Sequence, residues 1–223
     1  MNTPAEVKPR AARWLITLAA FVAPLLVLLG LLAYPPTASW IRSFDTTRLH
    51  GRDVGAQGAT ARFTLQDANG KTHTASDYRG KVLLVSFGYT RCPDACPTTL
   101  ARLAKVQELL GSQSSKVSVV FVTIDPERDS PELLNTYVHA FNPHFDGLHG
   151  TDQQTDEAAS VFHADYRLVR HGNDILVEHT VDTFLVDPDG RIHLVFPYDL
   201  SARDVADDTR AVMRDNGLIW PWS

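Results

Sequence analysis

Lys81–Leu110 reads KVLLVSFGYTRCPDACPTTLARLAKVQELL. Its opening, Lys81–Phe87, is a continuous apolar run of the kind found in a buried central strand. Leu100, Leu103, Ala104, Val106, Leu109 and Leu110 then recur at helical spacing over residues 97–110. Pro97 suits the first turn of that helix and Gly111 its stop. A buried strand feeding a helix through a short polar loop is the repeating unit of an α/β fold.

The flanking sequence repeats the pattern. Upstream, Ala61–Leu65 (ARFTL) alternates, and Asn69-Gly70 supplies a hairpin turn. Downstream, Val117–Ile124 (VSVVFVTI) reads as a second buried strand. Ser130-Pro131 opens a helix to about Ala140, with Ser at the N-cap and Pro in the first turn. A helix over 153–163 precedes short strands near 166–170 and 175–178. Asp182–Asp187 and Ile192–Phe196 form a strand pair across the Asp189-Gly190 turn, and Ser201 caps a last helix to about Asn216. Strands alternating with helices imply a central sheet flanked by helices, with a hairpin near the end. No internal repeat or low-complexity segment interrupts it.

Composition agrees. The chain has 223 residues, 44% hydrophobic and 21% charged, which suits one or two globular domains rather than a disordered or collagen-like chain. A formal net charge of −5 argues against a protein built to coat nucleic acid. Two cysteines are too few for a disulfide scaffold or a four-thiolate zinc site.

The N-terminus is expected to lie outside this domain. Residues 1–13 are polar and carry Lys8, Arg10 and Arg13 against Glu6. Residues 14–34, WLITLAAFVAPLLVLLGLLAY, hold no charge, enough for one transmembrane helix spanning roughly 30 Å. Trp14 and Tyr34 bracket the run as interfacial rings do, and Pro24 is tolerable with a kink. A cleaved signal would have a shorter apolar region, about 7–15 residues, and a small-x-small site, so an uncleaved anchor is the preferred reading. The basic flank orients residues 35–223 out of the cytoplasm. Removing three bases and one acid from the totals of 21 and 26 leaves 18 and 25, a net charge of −7 on the exported part. The expected plan is a cytoplasmic N-terminus (1–13), a transmembrane anchor (14–34), a linker or arm (35–60) and a soluble domain (61–223). Without an Arg- and Ser-rich presequence, a bacterial inner membrane with the domain in the periplasm fits best.

Both cysteines fall just after the central strand and at the start of the next helix, where α/β proteins commonly bind ligands. Cys92 and Cys96 are four residues apart, so a helical turn between them puts both sulfurs on one side. The N-H groups and dipole of a helix start are expected to favour thiolates. A purely structural disulfide would close a very short ring and stabilise little. The pair therefore reads as redox-active or as two ligands for one soft metal ion.

Three ordered blocks, FGYTRCPDACPTTL, VTIDPERDSPELLNTYV (122–138) and EHTVDTFLVDPDGRIHLVF (178–196), resemble the Sco/SenC family. The resemblance covers about residues 60–215. It implies a thioredoxin-like fold and a membrane-anchored, copper-binding protein associated with assembly of the copper site of cytochrome c oxidase. By position, the family's copper ligands fall on Cys92, Cys96 and His179. Two thiolates and an imidazole form a soft set suited to Cu(I) and able to hold Cu(II). Copper binding and a Cys92–Cys96 disulfide are then exclusive states, and an exported site needs a thiol reductant.

Other positions are weighed beside these three. His179-Thr180-Val181-Asp182 lacks the proline that thioredoxin-like oxidoreductases place before the matching strand. His139, His144 and His149 are read as solvated, because Pro143 and Gly147 break any common face; His163, His171 and His193 are read as surface or hydrogen-bonded. Asp94 either tunes the metal charge or accepts N–H bonds at the helix start. Glu178 stands where the family often has Asp. Asp125–Asp129 (DPERD) is expected to be a solvated turn before the next helix, and the terminal IWPWS a tail packed on the domain.

Two functions follow from the resemblance. One is a copper metallochaperone that binds one copper and delivers it to the dinuclear copper site of a cytochrome c oxidase subunit, loaded by a periplasmic copper donor. The alternative is a thiol-disulfide reductase that keeps the target's copper-ligand cysteines reduced.

Overall fold

The computed structural model describes residues 49–57, 59–171 and 174–219. The expected anchor (14–34) and the tail from Trp220 to Ser223 lie outside the described residues. Among those described, no helix is long and apolar enough to cross a membrane.

The apolar run after Lys81 forms β4 (Val82–Gly88), buried at every position. It lies inside a six-stranded sheet of order β1-β10-β9-β4-β5-β6. β5 (Val117–Thr123) and β6 (Asp146–Leu148) run parallel to it. On its other side β9 (Thr183–Val186), β10 (Ile192–Phe196) and β1 (Arg52–Asp53) pair antiparallel in turn. Parallel neighbours need crossovers, and the helices after β4 and β5 supply them. β9 and β10 are joined at Asp189-Gly190, where Gly190 takes φ +84°, open to glycine without strain. This is the thioredoxin-like α/β arrangement expected from the sequence.

β1 lies inside the stretch expected to be a linker or arm. Its residues Arg52 and Asp53 are exposed and carry no apolar signal, yet they pair with Val195 and Leu194. Backbone hydrogen bonds make an edge strand here, not side-chain pattern. Just before it, the buried carboxylate of Asp208 accepts from the backbone N–H groups of His50 (2.9 Å) and Gly51 (2.7 Å).

Among the described residues, four α-helices flank the sheet. α1 (Ala95–Leu110) packs on α4 (Ala202–Asp215), and α2 (Pro131–His139) packs beside β6. α3 (Asp152–Phe162) lies on the opposite face, where Phe87 of β4 meets Phe162 at 5.5 Å and Phe184 at 6.2 Å. Alternation along β4 turns Ser86 and Gly88 towards α1 instead. Ser130 caps α2 by accepting from the Leu133 amide, and Thr151 caps α3 in a reciprocal box with Gln154.

The alternation at Ala61, Phe63 and Leu65 is real, since all three are buried. Only Thr64–Gln66 (β2) pairs regularly, with β3 (Thr72–Thr74) across the Asn69-Gly70 turn. β7 (Tyr166–His171) and β8 (Asp174–His179) form a separate two-stranded sheet that ends beside the cysteines.

Candidate metal centre

The site stands at the carboxyl end of β4. The chain leaves Gly88 and turns through Tyr89–Asp94, with the Cys92 amide donating to the Tyr89 carbonyl at 3.2 Å. α1 begins at Ala95, two residues before Pro97, so Cys96 already lies in the first helical turn. Cys92 sits just outside the helix and is partly exposed, whereas Cys96 is 3% exposed. The Cys96 amide, one of the unpaired donors of the helix start, points at Cys92 Sγ at 3.5 Å. Asp94 occupies the N-cap position but makes no capping hydrogen bond and is exposed, so of the two roles weighed for it, that of acceptor at the helix start is absent.

His179 closes β8 and reaches the cysteines from across the domain. Its Nδ1 lies 2.7 Å from the Thr180 carbonyl, which can only accept, so Nδ1 carries the proton. Nε2 then presents its lone pair to Cys96 Sγ at 3.6 Å, where it accepts from the thiol. The Tyr89 ring meets the imidazole edge-on, centroids 5.9 Å apart. The ligand atoms of Cys92, Cys96 and His179 all lie within 4.8 Å of one another. Among the described residues they are the one group of three or more His, Cys, Asp or Glu side chains so gathered.

Burial dominates the electrostatics. It pushes the Cys96 thiol well above the ordinary range, a shift the Tyr89 backbone hydrogen bond opposes and Cys92 reinforces. The helix start was expected to favour the thiolate, but for Cys96 desolvation is the larger effect. Burial also lowers the His179 pKa, opposed by the Thr180 carbonyl, so the ring is neutral at physiological pH. A neutral imidazole and two sulfurs are the protonation state and donor set that a soft thiophilic ion replaces with bonds, expelling the Cys96 proton.

Gly88 explains how close the pieces come. A Cβ there would lie 2.6 Å from Cys96 Sγ and 2.7 Å from Phe121 Cζ. Cys96 thus rests on the bare backbone of the central strand, level with the Phe121 ring on β5.

The DPERD loop departs from expectation. Asp125 and Asp129 are buried, at 6% and 1% exposure, rather than solvated. Asp125 accepts from Arg128 Nε at 2.5 Å. Asp129 accepts from the Thr90 amide, the Thr90 hydroxyl and the Thr123 hydroxyl, and so ties the cysteine loop to the end of β5. The available signal was Thr123, a hydroxyl ending an apolar strand, which when buried requires a partner nearby.

The other histidines weighed from the sequence divide by exposure, with the side chain of His171 outside those described and His149 less solvated than expected. His139, His144 and His163 are exposed, and His149 and His193 are half-buried; none joins the cysteines. His193 lies 3.9 Å from Asp187.

The profile of the SCO1/SenC family matches residues 52–214. An SCO2-like protein of Rickettsia prowazekii is 36% identical over 146 residues, covering 64% of this chain and 71% of that one. The mitochondrial SCO1 homolog of Mus musculus is 34% identical over 169 residues, 74% of this chain and 60% of its own. Among solved structures, Bradyrhizobium japonicum ScoI with copper bound superposes with a TM-score of 0.63 at 33% identity, over 69% of this chain and 98% of that one. Apo Sco1 of Thermus thermophilus gives 0.64 at 39% identity, over 69% and 91%. On the extent of these matches, and on a fold and cysteine–histidine cluster that agree with them, the chain belongs to the SCO1/SenC family.

Proposed function

We propose that this protein is a copper metallochaperone that holds one copper ion through Cys92, Cys96 and His179 and passes it to the dinuclear copper site of a cytochrome c oxidase. The observation that carries the reading is the gathering of two sulfurs and an unprotonated Nε2 within 4.8 Å. Copper-bound relatives of similar fold support it. Three donors leave a coordination position open, and an incoming ligand from an acceptor can enter there before the first bonds break. Cu(I) suits all three donors, and Cu(II) can be held by the same set. The apolar run at residues 14–34 would anchor the protein in a bacterial inner membrane with this domain in the periplasm, confining it to the surface where an oxidase subunit matures.

A second reading is favoured by the asymmetry of the pair. Partly exposed Cys92 can attack a target disulfide, and buried Cys96 can resolve the mixed disulfide. The target's disulfide is then reduced to two thiols while Cys92 and Cys96 become a disulfide, so two electrons and two protons pass to the target.

Titration of the reduced full chain with Cu(I) and Cu(II), repeated with His179→Ala, separates the two. The chaperone reading expects one copper per chain, a sulfur-to-Cu(II) charge-transfer band, and affinity lower by at least about tenfold in the variant. Unchanged affinity in the variant overturns the three-ligand site. Disulfide reduction that survives His179→Ala in a chain that takes up no copper leaves the reductase.

A further inference from the structure

Tyr137 is the unexplained polar group beside the site. α2 turns Leu134 and Val138 inward, where both would touch a side chain at Gly147. Tyr137 stands on the neighbouring flank of that helix, its ring 6.1 Å from Phe121 and 5.6 Å from Phe141. Phe121 is the ring that shares the space over Gly88 with Cys96 Sγ. Tyr137 therefore packs against the aromatic wall of the cysteine pocket. Its hydroxyl oxygen is inaccessible to water and makes no hydrogen bond.

A buried tyrosine hydroxyl almost always finds an acceptor, because leaving one unpaired costs its lost hydration. The obvious candidate, Asp129, is occupied by Thr90 and Thr123 and receives nothing from Tyr137. Burial raises the hydroxyl pKa, and negative charge on Cys96, then Cys92, then Asp129 raises it further. The phenol thus keeps its proton, and both sulfurs are near enough for a charge on either to act on it. A neutral buried thiol is a poor acceptor, whereas a thiolate is a strong one. Metal binding is the event that turns Cys96 from the first into the second.

We propose that Tyr137 is an outer-sphere donor of the metal centre, its hydroxyl hydrogen-bonding to the Cys96 thiolate when copper is bound. This rests on the copper reading of the site. Satisfaction of this hydroxyl by the copper-bound thiolate would then be part of the driving force for loading. A hydrogen bond to a copper-bound sulfur withdraws electron density from it, which lowers the energy of the sulfur donor orbital and favours Cu(I) over Cu(II).

Tyr137→Phe in the full chain keeps the ring and removes only the hydroxyl. Three quantities test the role: thermal stability of the reduced, copper-free protein, Cu(I) affinity by competition with a chelator, and the energy of the sulfur-to-Cu(II) band. The expected result is a copper-free melting temperature equal to or above wild type, Cu(I) affinity reduced about tenfold, and the band moved to lower energy. An unmoved band with unchanged affinity overturns the proposal. So does a copper-free variant that melts lower than wild type or fails to fold, because the hydroxyl would then serve the fold. A wild-type chain that takes up no copper overturns the copper reading itself, and this donor with it. That result is distinct from a copper-binding wild type matched by its variant.

Discussion

Asp129 holds Thr90 at both of its donors, accepting from the backbone N–H at 2.9 Å and from the hydroxyl at 2.5 Å. Its Oδ2 also accepts from the Thr123 hydroxyl at 2.7 Å. Thr90 lies two residues before Cys92, and Thr123 ends β5. One buried carboxylate therefore sets where the cysteine loop leaves the sheet.

Asp129→Ala leaves three donors without their acceptor. Because hydrogen bonds to a charged group are worth about 1.5–3 kcal/mol each and the partners are largely buried, the expected loss of unfolding free energy is at least about 4 kcal/mol. Urea denaturation of the reduced, copper-free chain measures it. Copper affinity should fall in the same variant, since the loop bearing Cys92 loses its tie. A variant as stable as wild type would show that water replaces the carboxylate.

Gly88→Ala adds one methyl group at the point where Cys96 Sγ and Phe121 Cζ already meet, 2.6 and 2.7 Å from the new carbon. The sulfur and the ring must both move, at a cost of about 1–3 kcal/mol for overpacking a tight core. Copper affinity should drop more than stability, because a ligand atom is displaced directly. A fluorescence melt with a copper competition assay compares the two losses, and an intact site in a folded Gly88→Ala chain would contradict the contact.

His50 makes stability pH-dependent. Its imidazole lies 2.9 Å from Asp208 and 3.6 Å from Asp204, and the hydrogen bond to Asp208 raises its pKa above the ordinary value, against a smaller opposing effect of desolvation. A raised pKa means the folded state binds the proton more tightly than the unfolded chain. The extra stability is full below the ordinary histidine pKa of about 6.5 and is lost as pH rises through the folded value. The side chain is 44% exposed, so the effect stays within about 1 kcal/mol. Melting temperatures from pH 5.5 to 8.5 should include a decline that His50→Gln removes. A decline identical in wild type and variant would assign it to other groups.

Much of the fold was legible because burial writes a regular pattern. β4 and β5 are apolar at nearly every position, since both faces of a central strand are covered. The helix caps Ser130 and Ser201 and the turns at Asn69-Gly70 and Asp189-Gly190 were readable because each depends on chemistry within a few residues. β1 was not legible, because Arg52 and Asp53 join the sheet through backbone alone. Pro97 does lie in the first turn of α1, but a proline there does not say which position of the turn it takes. Asp129 of the DPERD loop looks solvated in one dimension; one of the partners that hold it in the interior is Thr90, thirty-nine positions upstream.

The α/β class, the place of Cys92 and Cys96 after the central strand, and the family blocks that single out His179 can all be read along the chain. Those features reside in local spacing and in ordered motifs, which need no knowledge of contacts. It takes the folded packing to bring His179 to within 3.6 Å of Cys96, eighty-three residues away, and to fix its proton on Nδ1 against a carbonyl. The same packing desolvates Cys96, so that the thiol rather than the thiolate is the resting form. Distance and burial are properties of how separate elements pack, and the pattern along one chain does not carry them.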